Sequence, residues 1–482
     1  MASEEEANPA DVRHPLVAGL NQMMIEKVPS YGNKFLYSLG FLSMISFVTL
    51  LVTGLFMTVF GPNWWLTTVA GAYARSVHLW ATQAFVLFIL LHLLVVFFTS
   101  GFRKPRRLTW VLGVLMLFVV LAETEFGYIL RGDFSSQWRG LQGADFYNGT
   151  GLGTWVNPLN YGQVYGIHIA TVPLVLLGLL GLHYLLVRVL GIAKPYRSDI
   201  VAPTVKANHG LLFIRAGVLL VLLLAFGVVL PSPYLSPVTI QTVASQDATA
   251  FVKTIVAEWD GSSDTAGYMD NIDPYTFDSA AVFVEAPYAQ LVAAVPATTD
   301  AMKAFKALSD DDQKAALKAL SDYYAQDNPD PAAVPKGPAT DVITSLTAMA
   351  AAGLYEPALL NANLGTTDAN VATYGLRFLA DTGVLEDQAT KLNITTEQYG
   401  MIREENGNTP GAWWLSPIGL LNHTVLAGDD NGDRDGAIIF GSLLLTMLAF
   451  PFIPYVNRLP DVLKGYTLIW RKERKAAKQV AK

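Results

Sequence analysis

The chain has 482 residues, 52% of them apolar and only 15% charged, with a formal net charge of −7. Such a composition points away from a soluble globule and toward an integral membrane protein, and the mild charge gives no sign of a nucleic-acid partner. Cysteine is absent, which excludes disulfides, thiolate-held iron–sulfur clusters and covalently attached c-type haem.

The first thirty residues are polar and acidic (MASEEEANPADVRHP). They lack the basic start and apolar run of a secretory leader, and His14 among them reads as structural. Five apolar stretches follow at 35–60, 77–99, 109–130, 164–190 and 211–231, and a sixth lies at 437–457. Each approaches or exceeds the roughly 20 residues that a helix needs to cross the hydrocarbon core, so six spans are expected. The segment 240–408, rich in Ala, Asp, Thr and Pro, has no spanning stretch. Its phrase KALSDDDQKAALKALSDYY has the pattern of an amphipathic helical pair or a bent helix, which predicts a mostly helical soluble insert.

The expected fold class is therefore an all-α membrane protein: a four-helix bundle, two further transmembrane helices and a mostly helical extramembrane insert. The expected divisions are an N-terminal segment (1–30), the bundle (31–200), the fifth span and its exit (201–239), the acidic insert (240–408), and a final portion (409–482). That last portion holds an amphipathic segment, the last span and a basic tail. Basic residues set the orientation. They stand between spans two and three (Arg103, Lys104, Arg106, Arg107), between spans four and five (Lys194, Arg197, Lys206), and in the tail WRKERKAAK. With six spans all three groups share one side, which the positive-inside rule makes cytoplasmic. Both termini are then expected inside and the insert outside.

Four of the seven histidines fall within spans. His78 and His92 are fourteen residues apart in the second span, and His168 and His183 fifteen apart in the fourth. Fourteen residues of helix rise about 21 Å and return to within about 40° of the starting face, and fifteen to within about 60°. Each span thus offers two imidazoles on nearly one face, one toward each membrane surface. The two spans run in the same direction, so His78 is level with His168 near the outer surface, and His92 with His183 near the inner. A single intramembrane histidine reads as packing, but two matched pairs read as two bis-histidine haem sites, because ionisable groups in lipid default to function. Gly40 and Gly54 in the first span, and Gly113 and Gly127 in the third, repeat the fourteen-residue interval. Helix packing through small residues is common in membranes, but the shared interval favours room for a porphyrin. By level, Gly40 and Gly113 belong to the inner haem, and Gly54 and Gly127 to the outer. Arg75, one turn outward of His78, is assigned to the outer haem's propionates. Arg103 and Arg106 serve the inner haem or act as plain topogenic charge.

RSVHLW at 75–80, SGFRKPRRLTWVLG at 100–113, YGIHIATVP at 165–173 and YSLGFLSMISFVTLLVTGLFMT at 37–58 resemble the cytochrome b/b6 family of quinol:electron-acceptor oxidoreductases. The fifteen-residue interval and Pro173 are closer to its b6 branch. The likeness is close over about 30–200. Beyond it, LPSPYLSP at 230–237 and PFIPYVNRLP at 451–460 are similar to parts of subunit IV, shortened and carrying an insert. The resemblance implies two non-covalent b-type haems, a quinone or quinol substrate, a Rieske protein, cytochrome c or other external redox subunit as partner, and a homodimer.

Three departures stand out. Ser38 replaces the cysteine that tethers an extra c-type haem in b6 proteins, so no covalent haem is expected. PGAWW at 410–414 has Ala412 where the family's outer quinol motif has Glu. RGDF at 131–134 keeps only Asp133 of the usual PWDQ. Taking protons from a quinol needs a positioned base. The candidate replacements are Asp133, Glu125, Glu123, Glu404 and Glu405, each of which ordinary solvation also explains. On the inner side His209 and Lys206 are candidates for quinone protonation, against a plain surface role.

DDNGDRDG at 429–436 alternates oxygen ligands as calcium loops do, but its Gly and Glu are out of place for an EF-hand, so an acidic turn is the simpler reading. His423 reads as structural. The expected function is the dihaem b-type cytochrome subunit of a quinone-linked respiratory or photosynthetic complex. One alternative is the membrane anchor of an external molybdoenzyme or hydrogenase with a single quinone site. Another is a transporter with a histidine proton relay, which would show no haem absorbance.

Overall fold

A computed structural model describes residues 24–153, 155–195, 200, 202–266, 277–295, 300–326, 330–361, 373–395, 398–403, 409–429 and 431–480. In chain order the elements used below are β1 (Lys27–Pro29), α1 (Leu39–Thr67), α2 (Val69–Phe98), α3 (Arg107–Ile129), α4 (Phe134–Gly149), α5 (Tyr161–Leu190), β2 (Thr204–Lys206), α6 (His209–Val229), α7 (Ile240–Gln246), α8 (Ala248–Asp260), α9 (Asp310–Tyr324), α10 (Pro338–Ala351), α11 (Tyr374–Asp381) and α12 (Arg434–Phe452). Among the described residues six helices are long and apolar enough to cross a membrane: α1, α2, α3, α5, α6 and α12. The chain is an all-α membrane protein. β1 and β2 form one small antiparallel pair, Val28 opposite Val205.

Helix ends depart from the apolar runs where local chemistry decides them. α2 begins at Val69 because the Thr68 hydroxyl accepts from the Gly71 amide and caps the first turn. α12 stops at Phe452, short of the end of its apolar run, in the stretch holding Pro451 and Pro454. Inside α1, Gly61 takes φ 75° ahead of Pro62 and kinks the helix. Side chains such as Leu55, Val59, Val221 and Val229 stand largely exposed on the spans, an arrangement that is stable only where hydrocarbon covers them.

Two compact units emerge. The first holds residues up to Thr124, Ile169–Ser232 and Phe440–Lys482, and the second Glu125–His168 and Pro233–Ile439. Within the first, α1 packs along α2, and α6 packs against both. Trp110, Phe102 and Phe450 form one buried aromatic knot, where Trp110 Nε1 donates to the Met447 carbonyl at 2.7 Å. Trp470 is buried against Tyr31 and Tyr37. It donates to the Tyr37 hydroxyl, while Lys34 pairs with Glu473 at 2.7 Å. These contacts tie the start of the C-terminal basic helix to the segment before α1.

The second unit is built around Phe251, Ile255, Phe283, Val342, Leu346, Tyr355 and Phe378. The phrase at 306–324 resolves into the end of a short helix (Ala301–Lys306), a turn and α9. Ser309 caps α9, three aspartates fill its first turn, and Leu317, Leu320 and Tyr323 are buried. α4 has no counterpart in the sequence reading, because its mixed residues carry no clear period. Asp133 caps it by accepting from the Ser136 amide, and Trp138 anchors it by donating to the Ile394 carbonyl.

Candidate cofactor site

The first unit contains an apolar cavity of about 390 Å³, within the range of roughly 300–1,000 Å³ usual for ligand sites. His92 of α2 and His183 of α5 both line it, as do Gly40 of α1 and Gly113 of α3. A Cβ on Gly40 would stand 3.3 Å from Cε1 of His92, and one on Gly113 3.5 Å from Cε1 of His183. The bare glycine backbones therefore border the imidazoles directly. Phe47, Phe85, Leu117, Val120 and Leu176 complete an apolar wall. Two imidazoles in an apolar chamber bounded by glycine suit a flat, apolar macrocycle, whose metal His92 and His183 would hold.

Polar groups reach the same cavity. Arg106 lines it and donates to the carbonyls of Leu190 and Gly191. Arg215 lines it and donates to Ser38 Oγ and to the Asn33 carbonyl, each at 3.1 Å. His209, at the start of α6, lines it with Nε2 3.0 Å from the Ile25 carbonyl oxygen. Lys206 instead lies in β2.

The other two histidines have similar neighbours. In the first unit a Cβ on Gly54 would lie 3.5 Å from Cε1 of His78. Thr53 Oγ1 is 2.8 Å from His78 Nδ1, a contact that fixes the ring. In the second unit a Cβ on Gly127 would lie 2.9 Å from Cε1 of His168. His168 sits in a π turn, Ile167–Thr171, within α5. A π turn absorbs one extra residue, so fifteen residues from His168 to His183 rotate about as far as fourteen in an uninterrupted helix.

Arg75 Nη2 donates to the Ser232 carbonyl at 3.2 Å. Arg103 pairs with Asp461 at 2.8 Å, so its charge also holds the C-terminal segment. Asp133 is fully buried, caps α4 and pairs with Arg131 at 2.7 Å. Glu125 takes a bidentate pair of hydrogen bonds from Arg139, Nε to Oε1 at 2.8 Å and Nη2 to Oε2 at 2.5 Å. His423 stacks on Tyr399 at 4.1 Å. His14, Arg197, Glu404 and Glu405 lie outside the described residues. In the acidic turn, Asp429 accepts from the Asn431 amide and Asp435 pairs with Arg434, whereas Asp430 is outside the described residues. Among the described residues no group of three or more metal-ligating side chains is found.

Sequence reasoning missed Thr53, Arg139 and Arg215. Thr53 adjoins Gly54 and carried a faint signal. Arg139 is fourteen residues from Glu125 in a loop that had no predicted helix.

The profile of the family described as cytochrome b(N-terminal)/b6/petB matches residues 83–237. Cytochrome b6 of Heliobacterium mobile is 31% identical over 190 residues, 35% of this chain and 89% of that protein. The cytochrome bc1 complex cytochrome b subunit of Mycobacterium tuberculosis is 30% identical over 223 residues, 38% of this chain; the chain spans only 40% of that relative. A chain of a solved hyperthermophilic respiratory Complex III aligns over 72% of this chain and 96% of its own, with 16% identity and a TM-score of 0.38.

Proposed function

Because the chain belongs to the cytochrome b/b6 family, we propose that it is the dihaem b-type cytochrome subunit of a quinone-linked, bc-type electron-transfer complex. The observation that carries this is the chamber in which His92 and His183 stand beside Gly40 and Gly113. Those two histidines would ligate one haem. The matching sequence levels of His78 and His168 support the second. A bis-histidine haem supplies reversible one-electron transfer without ligand exchange.

The residues around each iron have separable tasks. Thr53 orients His78. The glycines leave backbone-wide room, and the apolar walls exclude water. Arg106 and Arg75 are the cations for propionates, and Arg103 shares that task with its pairing to Asp461. His209 and Arg215 line the inner chamber and provide N–H donors to a quinone carbonyl on that side, while Ser38 accepts from Arg215 and donates to the Phe35 carbonyl. No cysteine is present to tether a further haem. Electrons would pass between a quinone site and an external partner, a Rieske protein, cytochrome c or another redox subunit, in a complex expected to be a homodimer. The basic loops and tail support cytoplasmic termini and an external insert. Ala412, in place of a carboxylate, is the one observation that favours the alternative of a membrane anchor for an external oxidoreductase with a single quinone site.

A reduced-minus-oxidised spectrum of the purified membrane protein tests the proposal. Two b-type centres are expected, and His92→Ala or His183→Ala should remove one and spare the other. Colourless protein, or both centres unaltered in either variant, would refute it.

A further inference from the structure

The C-terminal segment packs against the back of the inner chamber's wall. Tyr37 and Ile192 line the chamber. Both also pack against Tyr31, Tyr466 and Trp470, three buried rings that stand behind the lining residues. Trp470 Nε1 donates to the Tyr37 hydroxyl at 2.9 Å, so a chamber residue is held by one 433 positions later. Lys34 lies between Asn33 and Tyr37, both of which line the chamber. It donates to the Ile469 carbonyl at 3.3 Å and pairs with Glu473 at 2.7 Å. The Tyr31 hydroxyl donates to the carbonyl of Ala193, another lining residue. Gly465 lies on the ring of Phe98, the last residue of α2, where a Cβ would meet Cδ1 at 2.3 Å. Thr99 and Gly101, just beyond, line the chamber as well.

The strip Tyr466–Glu473 and its neighbour Gly465 therefore reach three stretches of wall, 33–38, 99–101 and 191–193. The first is made of short 3-10 turns, and the last follows the end of α5 at Gly191. Such short pieces open locally unless side-chain packing holds them. The strip packs on them from behind, and whatever fills the chamber packs on them from within. Two partners that favour one arrangement of the same wall favour each other, and by the same factor in both directions.

We propose that Tyr466–Glu473 is a strap that closes the inner chamber from behind, so that seating of the strap and filling of the chamber by its haem strengthen each other. Trp470 is a positioning residue that acts through Tyr37. The inference rests on the haem reading above and adds a control element to that chamber. Arg471, Lys472 and Lys475 are exposed beside the buried Glu473, so release of the strap is read as cleavage there.

The test uses the purified full-length membrane protein. Haem loss to excess apomyoglobin and redox titration are measured for wild type, Trp470→Phe and Glu473→Gln, with Lys475→Gln as the control. Trp470→Phe keeps an aromatic ring and removes the donor to Tyr37. Loss of that hydrogen bond predicts about fivefold faster haem release from one b centre, a shifted midpoint potential there, and neither change at the other. Glu473→Gln should act in the same direction, and Lys475→Gln should do neither. The reciprocal arm follows tryptic cleavage within Arg471–Lys475. His183→Ala, which leaves this chamber unfilled, should speed cleavage about fivefold, and His78→Ala should not. Wild type holding two haems, with Trp470→Phe within about twofold in release at both centres and an unmoved potential, would overturn the strap and leave the haem reading standing. So would equal acceleration at both centres, or equal cleavage of His183→Ala and wild type. Colourless wild type would overturn both readings. Should Trp470→Phe fail to assemble with haem, Glu473→Gln decides, and unchanged release with an unmoved potential overturns the strap.

Discussion

Replacing Gly127 by Ala sets a methyl group 2.9 Å from Cε1 of His168. Carbon atoms rest at about 3.5–4.0 Å, so the ring or the helix backbone must retreat by roughly 0.6 Å or more. Overpacking of this kind costs about 1–3 kcal/mol. If His168 is an iron ligand, that strain falls on the haem site, and each 1.4 kcal/mol is about a tenfold change in occupancy constant. Haem affinity on the His168 side should therefore drop roughly tenfold to a hundredfold. Gly54→Ala is the control. Its Cβ would meet Cε1 of His78 at 3.5 Å, an ordinary contact, and the site should hold its haem. Gly40→Ala, at 3.3 Å from His92, should fall between. Haem content per chain, difference spectra and potentiometric titration read the series. Full occupancy and unchanged potentials in Gly127→Ala, or a worse defect in Gly54→Ala, would refute the reasoning.

Other outcomes follow from single contacts. Thr53→Val removes the hydroxyl 2.8 Å from His78 Nδ1. It should shift the potential of one b centre while leaving both occupied, as potentiometry will show. In the insert, burial and the neighbouring Asp381 raise Glu258 from 4.5 to about 9. The folded form then holds a proton that the unfolded form has lost, so this stabilisation is full below about pH 4.5 and declines as pH rises toward 9. Thermal unfolding of the membrane protein, followed by insert-specific proteolysis, should show that decline in wild type and a flatter profile in Glu258→Gln. Lys34→Ala breaks the ion pair to the mostly buried Glu473 and should cost about 1–3 kcal/mol locally, seen as faster tryptic cleavage within Arg471–Val480.

The spans were legible in the residues alone, because a helix in hydrocarbon must be apolar for a fixed length. By level the sequence also groups Gly40 and Gly113 with His92 and His183. Helical rise and rotation are constants, so shared intervals and levels suffice for that grouping, whereas the pairing of Gly40 with His92 and of Gly113 with His183 comes from the structure. Even the fifteen-residue interval of α5 was visible as an exception, although only the structure supplied its cause, the π turn at Ile167–Thr171. What tertiary structure alone decided are the partners of polar groups. Arg103 meets Asp461, Glu125 meets Arg139, and Trp414 keeps an unmatched N–H beside Tyr128. No local period links such residues. Their pairing depends on where loops and helix ends return in space, and that is set by packing of the whole chain.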